Sequence, residues 1–123
     1  MFEISVEYSF AAGHALREYK GKCENIHGHN YKVQVSVAGE RLNSIGLLMD
    51  FVDLRANLKK LAERLDHRFM NEIPPFDKVN PSAENLAQYF HDGLAPQAQE
   101  HGVRVSAVTV WETETTSATY RPK

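Results

Sequence analysis

The sequence predicts an α+β fold, an antiparallel four-stranded sheet with two helices on one face. Three observations carry this. Apolar residues alternate near both ends of the chain, a 3.6-residue apolar stripe recurs in the middle, and breaker residues separate the two regimes. The resulting order is strand, strand, helix, helix, strand, strand.

The first strand covers 2–10, with Phe2, Ile4, Val6, Tyr8 and Phe10 alternating with Glu3, Ser5, Glu7 and Ser9. Tyr31, Val33, Val35 and Val37 repeat the period opposite Lys32, Gln34 and Ser36. A polar loop over 17–25 joins the two. Asp50 is placed to cap a helix that starts near Phe51, with Asp53 in its first turn. Phe51, Leu54, Leu58, Leu61, Ala62 and Leu65 form its stripe, and it is expected to end near Asp66-His67. Pro74-Pro75 makes the next loop non-helical. Ser82 caps a second helix that turns Leu86, Tyr89, Phe90 and Leu94 inward, and Pro96 is expected to end or bend it.

Gly102 opens a strand over 103–111, and a short last strand lies around 117–120. In the first of these, Val108 and Val110 fall opposite Val103, Val105 and Trp111. One face meets the helices and the other requires a partner. Open sheet edges also invite pairing, so a homo-oligomer is expected.

With 123 residues, 42% hydrophobic and 24% charged, the chain fits one soluble domain spanning 1–123. A net charge of −2 excludes the strong basic field of a nucleic-acid or anionic-membrane binder. No apolar run matches a bilayer span and no secretory signal is visible, so a cytoplasmic location is expected. The lone cysteine, Cys23, excludes an internal disulfide and a multi-cysteine zinc knot.

The chemistry gathers in Cys23-Glu24-Asn25-Ile26-His27-Gly28-His29-Asn30-Tyr31. His27 and His29, two apart in extended chain, project from one face. If the first two strands pair antiparallel, His14 at the end of the first comes beside them. Three neutral imidazoles with a fourth position open are the ligand set of a catalytic zinc site, though imidazole also suits iron, nickel or copper. Cys23 stands four residues before His27, flanked by Lys20 and Lys22 that favour thiolate. It reads as a candidate base or as a buried thiol. Glu24 is a second carboxylate base or a solvated loop residue. Asp66-His67 reads as an oriented acid–base pair or as a helix-end histidine on the dipole. Glu112, after Trp111, is an exposed glutamate or an acceptor of two hydrogen bonds from a guanidine-like edge such as a pterin's. His91 and His101 read as surface residues.

Taken together, the motifs resemble the 6-pyruvoyltetrahydropterin synthase and 6-carboxytetrahydropterin synthase superfamily, nearly end to end. The landmarks are Phe10-Ala11-Ala12-Gly13-His14, the cysteine–histidine run above, Met49-Asp50-Phe51, Leu65-Asp66-His67-Arg68, Asn80-Pro81-Ser82-Ala83-Glu84-Asn85 and Trp111-Glu112-Thr113. The resemblance implies the tunnelling fold, in which sheets of several subunits join into a barrel, as a hexamer, with active sites between subunits. It implies His14, His27 and His29 as ligands of Zn2+ and Cys23 as the proton-abstracting base. It further implies Asp66 and His67 as a dyad reaching a neighbouring subunit's site, and Glu112 as the anchor of the pterin ring.

The short spacing from Cys23 to His27 resembles the bacterial carboxytetrahydropterin enzymes. These convert 7,8-dihydroneopterin triphosphate to 6-carboxy-5,6,7,8-tetrahydropterin, acetaldehyde and triphosphate on the route to queuosine. Cys23-Glu24 also resembles members linked to release of 6-hydroxymethyl-7,8-dihydropterin. The chain departs from the family at Gly13, where alanine is usual, and at Ser82, where threonine is common. For Arg17, Lys20 and Lys22, charge alone suggests contact with the triphosphate.

Overall fold

The computed structural model describes residues 1–18 and 25–123. Strands β1 (Phe2–His14) and β2 (His27–Gly39) are followed by helices α1 (Phe51–Glu63) and α2 (Ala83–Glu100), then strands β3 (Arg104–Trp111) and β4 (Ser117–Tyr120). The sheet order is β1-β2-β3-β4, antiparallel throughout. Both helices lie on one face, α1 against β1 and α2 against β3 and β4.

Both helix starts follow from side-chain caps. Asp50 Oδ1 accepts the amide of Val52 at 2.8 Å, and Ser82 Oγ accepts the amide of Asn85 at 3.1 Å. Serine therefore serves at position 82 as threonine would. Helix α1 stops at Glu63, short of the expected Asp66-His67, because residues 64–69 turn away to run beside β1. Helix α2 continues through Pro96 to Glu100, so that proline does not end it. The core is the apolar layer between helices and sheet. Tyr31, Val33, Val35 and Val37 of β2 are fully buried, facing Leu54, Leu58, Leu86, Phe90 and Leu94.

Strand β1 extends past the expected Phe10 to His14, and β2 begins at His27. The whole hairpin stays in register, ending with His14 opposite His27.

One expectation fails here. Strand β3 is not apolar on both faces, because a bulge interrupts its pairing with β2. Ser36 pairs with Ala107, but the next residue, Val37, pairs with Val105. Two residues of β3 then oppose one of β2, and the side-chain alternation is reset. Val105 joins Val108 and Val110 in the core, at 3%, 0% and 0% exposure. Ser106, the extra residue, bonds outward to Glu3 Oε2 at 2.7 Å and to the Ser36 carbonyl at 3.2 Å. The outer sheet face is instead small and polar, with hydroxyl pairs Ser5–Ser36 and Thr109–Thr119. Trp111 is the large apolar residue on it, under the Lys32 ammonium. Among the described residues no helix is long and apolar enough to cross a membrane.

The bulge makes a prediction. Val105→Ser should cost about 3 kcal/mol in urea denaturation, from lost burial and a stranded hydroxyl. Ala107→Ser, on the outer face, should stay within about 0.5 kcal/mol of wild type.

Candidate active site

Where the helix layer ends, the inward face of the sheet changes from apolar to polar without changing its alternation. Along β1 it reads Phe10, Ala12, His14; along β2, Val33, Tyr31, His29, His27; along β3, Val108, Val110 and then Glu112. Three strands thus deliver His14, His27, His29 and Glu112 to one spot, with one ligand atom from each within 4.8 Å of the others. Glu112 sits at the mouth of the β3–β4 hairpin, its amide donating to the Thr116 carbonyl at 3.1 Å.

The hydrogen bonds around the cluster decide its chemistry. His14 Nδ1 lies 2.8 Å from the Pro81 carbonyl, and His27 Nδ1 lies 2.7 Å from that of Asn25. A carbonyl only accepts, so each Nδ1 carries the proton and donates. In neutral imidazoles this leaves both Nε2 atoms as bare lone pairs, and they stand 2.9 Å apart. Glu112 Oε1, another acceptor, lies 3.0 Å from Nε2 of both His14 and His29. His29 Nε2 is buried and still lacks a hydrogen bond, because the short approach of Glu112 has the distance of one without the direction. Acceptors crowded around one point repel unless a cation lies among them. The donor set, three imidazole nitrogens with a carboxylate beside them, fits zinc. Carbonyls holding Nδ1–H are the usual outer partners of ligating histidines. Burial lowers the His29 pKa against the upward pull of Glu112, with His14 and His27 pushing the same way as burial. That favours the neutral, ligating form.

His14 itself is fully buried. Two asparagines hold the chain that follows it. Asn71 Oδ1 and Nδ2 bond the amide and carbonyl of Ala15, at 2.9 and 2.8 Å. Asn80 does the same for Arg17, at 2.9 and 3.0 Å. Asn85 Nδ2 ties the Asn80 carbonyl to the start of α2 at 2.8 Å. The Arg17 guanidinium is drawn into this clamp and donates to the Phe76 carbonyl at 2.7 Å, with Nη1 buried. It ties the segment after His14 to the loop that precedes α2. Lys20, Lys22, Cys23 and Glu24 lie outside the described residues. At Gly13 an added Cβ would meet nothing closer than 3.5 Å, so the alanine usual in the family would fit equally.

Asp66 and His67 sit on the outer edge of β1. The Asp66 carboxylate accepts the Ala11 amide at 3.0 Å, and the His67 amide donates to the Ala11 carbonyl at 2.6 Å. Gly13 N donates to the Arg68 carbonyl at 2.9 Å. Residues 66–69 therefore act as a short strap along the open edge. His67 takes a left-handed φ of 58° to make this turn. Its Nδ1 lies 2.9 Å from Asp66 Oδ1, while its side chain is 80% exposed. The two residues do form an oriented pair. The Ala11 amide first, and then His67, hold the Asp66 pKa below the usual carboxylate range. His67 and His29 both line a cleft of about 470 Å³ bordered by Gly13, Gly28 and Asn30.

Sequence reasoning missed the Asn71 and Asn80 clamps, the carbonyls of Pro81 and Asn25, and Tyr31 as the floor of the site. Asn80 and Pro81 had a signal in the landmark they begin; Asn71 had none. Tyr31 is fully buried between Phe10, His14 and His29. Its phenol is pushed far up, mainly by burial and then by the charge of Glu112, and so remains a donor.

Comparison with known proteins agrees with this layout. The family model for 6-pyruvoyl tetrahydropterin synthase matches residues 3–123. A 6-carboxy-5,6,7,8-tetrahydropterin synthase from Synechocystis sp. is 36% identical, over 98% of this chain and 93% of its own. One from Haemophilus influenzae is 32% identical, over 98% and 99%. The solved structure of Caenorhabditis elegans 6-pyruvoyl tetrahydropterin synthase superposes with a TM-score of 0.88 at 27% identity, covering 99% of this chain and 96% of that one. The fold is therefore the tunnelling fold of those structures.

The Asp66 contacts predict an acid-sensitive edge. A carboxylate whose folded pKa is depressed stabilises the fold above its unfolded value of about 4, and that contribution is lost as pH falls through the folded value. Urea midpoints of wild type should therefore drop more steeply below about pH 4 than those of Asp66→Asn, with the two curves converging in acid.

Proposed function

The chain belongs to the 6-pyruvoyl tetrahydropterin synthase family, and on that footing we propose that it is a zinc-dependent lyase making 6-carboxy-5,6,7,8-tetrahydropterin, acetaldehyde and triphosphate from 7,8-dihydroneopterin triphosphate. The observation that carries this reading is the crowding of bare acceptor atoms at His14, His27 and Glu112, with the buried His29 Nε2 beside them, which a cation relieves. The choice of product is supported by the names of the relatives and by the four-residue spacing from Cys23 to His27. A carboxylated tetrahydropterin is the precursor needed on the queuosine route.

His14, His27 and His29 would hold the zinc, which when bound supplies Lewis-acid polarisation of the side-chain hydroxyls of the substrate. Glu112 takes the guanidine-like edge of the pterin through its two carboxylate oxygens. Cys23, as thiolate beside Lys20 and Lys22, removes a proton from the side chain. His67, oriented by Asp66, moves the second proton. Electron redistribution then expels triphosphate, and one water supplies the second carboxylate oxygen and the aldehyde hydrogen as carbon–carbon cleavage releases acetaldehyde.

The exposure of His67 on a sheet edge supports a dyad that serves the site of a second copy. A homo-hexamer whose sheets join into a barrel rests on the family resemblance. The whole chain, 1–123, acts as one cytoplasmic pterin synthase domain. Cys23-Glu24 favours a second reading, in which part of the flux leaves as 6-hydroxymethyl-7,8-dihydropterin.

Zinc-loaded protein incubated with 7,8-dihydroneopterin triphosphate should yield carboxytetrahydropterin with acetaldehyde by mass analysis. A pyruvoyl or hydroxymethyl pterin alone would keep the site and replace the reaction. Cys23→Ala should reduce turnover to background while metal analysis still finds zinc bound. His14→Ala, which removes a fully buried ligand, should lose the zinc itself.

A further inference from the structure

Tyr31 is fully buried, and its hydroxyl has no hydrogen-bond partner among the described residues. Buried tyrosine hydroxyls nearly always find one, because a bare donor forfeits its hydration for nothing. Its surroundings limit where that partner can be. Phe10 stacks on the ring at 5.2 Å and 14°, which fixes the ring plane. His14 and His29 stand edge-on to it, with centroids at 5.9 and 5.6 Å. The last pair joining β2 and β3 is Lys32 with Trp111. One step further in the same register, Glu112 falls opposite Tyr31, on the same face of the sheet.

The same carboxylate is the misplaced member of the histidine cluster. Its Oε1 is aimed at His14 Nε2, an acceptor facing an acceptor. If the three imidazoles take a metal and Glu112 stays, the fourth position is filled, as in a structural site. A catalytic site keeps that position open, so the carboxylate must turn aside. It then needs a donor, and Tyr31, buried and unpaired on the same face of the sheet, carries one. As found, each group is mismatched; each supplies what the other lacks.

We propose that Tyr31 is a positioning residue, whose hydroxyl donates to Glu112 when His14, His27 and His29 hold a metal and turns that carboxylate from the ligand nitrogens toward the pterin. This rests on the reading of Glu112 as the pterin-binding carboxylate. Tyr31→Phe keeps the ring, its stacking and its burial, so the fold is retained while the donor is removed.

The test is a double-mutant cycle on ligand binding rather than on turnover. Wild type, Tyr31→Phe, Glu112→Gln and the double variant are loaded with zinc, checked for metal content, and titrated with neopterin by its fluorescence. Glu112→Gln should weaken binding at least tenfold. Tyr31→Phe should weaken it about fivefold in the wild-type background and leave it unchanged in the Glu112→Gln background, with zinc content equal in all four. Wild-type affinity in Tyr31→Phe, or the same loss in both backgrounds, overturns the proposal. Wild-type affinity in Glu112→Gln instead removes the pterin-anchor reading, and the proposal with it.

Discussion

The register of the β1–β2 hairpin is the constraint on which the site depends. It runs unbroken from Phe2 opposite Gly39 to His14 opposite His27. Side chains alternate between sheet faces, so a slip of one residue would send His14 outward and leave two imidazoles without a third. The register is held on the apolar side of the histidines, by Val6, Phe10, Tyr31, Val33 and Val35 packed under the helices. It is held again beyond them, where Asn71 and Asn80 grip the backbone of Ala15 and Arg17. The geometry of the ligand atoms is thus a consequence of apolar burial on one side and amide hydrogen bonding on the other.

This arrangement explains why mutually repelling acceptors can sit so close. An isolated pair of bare imidazole nitrogens would rotate apart. Here His14 and His27 are each tied back through Nδ1–H to a carbonyl, and His14 has no free volume in which to turn. The stability of the core offsets the repulsion, and the fold itself holds the cluster in a geometry suited to a metal. The dry floor made by Tyr31 and Phe10 lowers the local dielectric, which strengthens every charge interaction above it.

The edge of β1 has a second use. An uncovered strand edge is a pairing hazard. Residues 66–69 cover its last part with a strap that turns at the left-handed His67. The turn that seals the edge is also what presents the His67 ring to solvent, fixed to Asp66. One short segment therefore serves both the fold and the acid–base chemistry proposed for it.

Local pattern was enough to place the six elements, both helix caps and the face on which the histidines project. Period and capping are properties of neighbouring residues, and they survive into the fold. The motif run carried the family, and with it the role proposed for Asp66-His67 and Glu112, which their immediate neighbours could not suggest. Three things were decided only by tertiary contact. The bulge at Ser106 reassigned Val105 to the core, because alternation can be reset by one extra residue that leaves no mark on composition. Arg17 was drawn to the carbonyls of Phe76 and Asn71, far along the chain. The placing of Tyr31 and Glu112 on one face depends on strands whose residues lie some eighty positions apart. Sequence spacing fixes which face a side chain takes; which distant side chain it meets there is set by strand pairing and by the packing of the layer beneath.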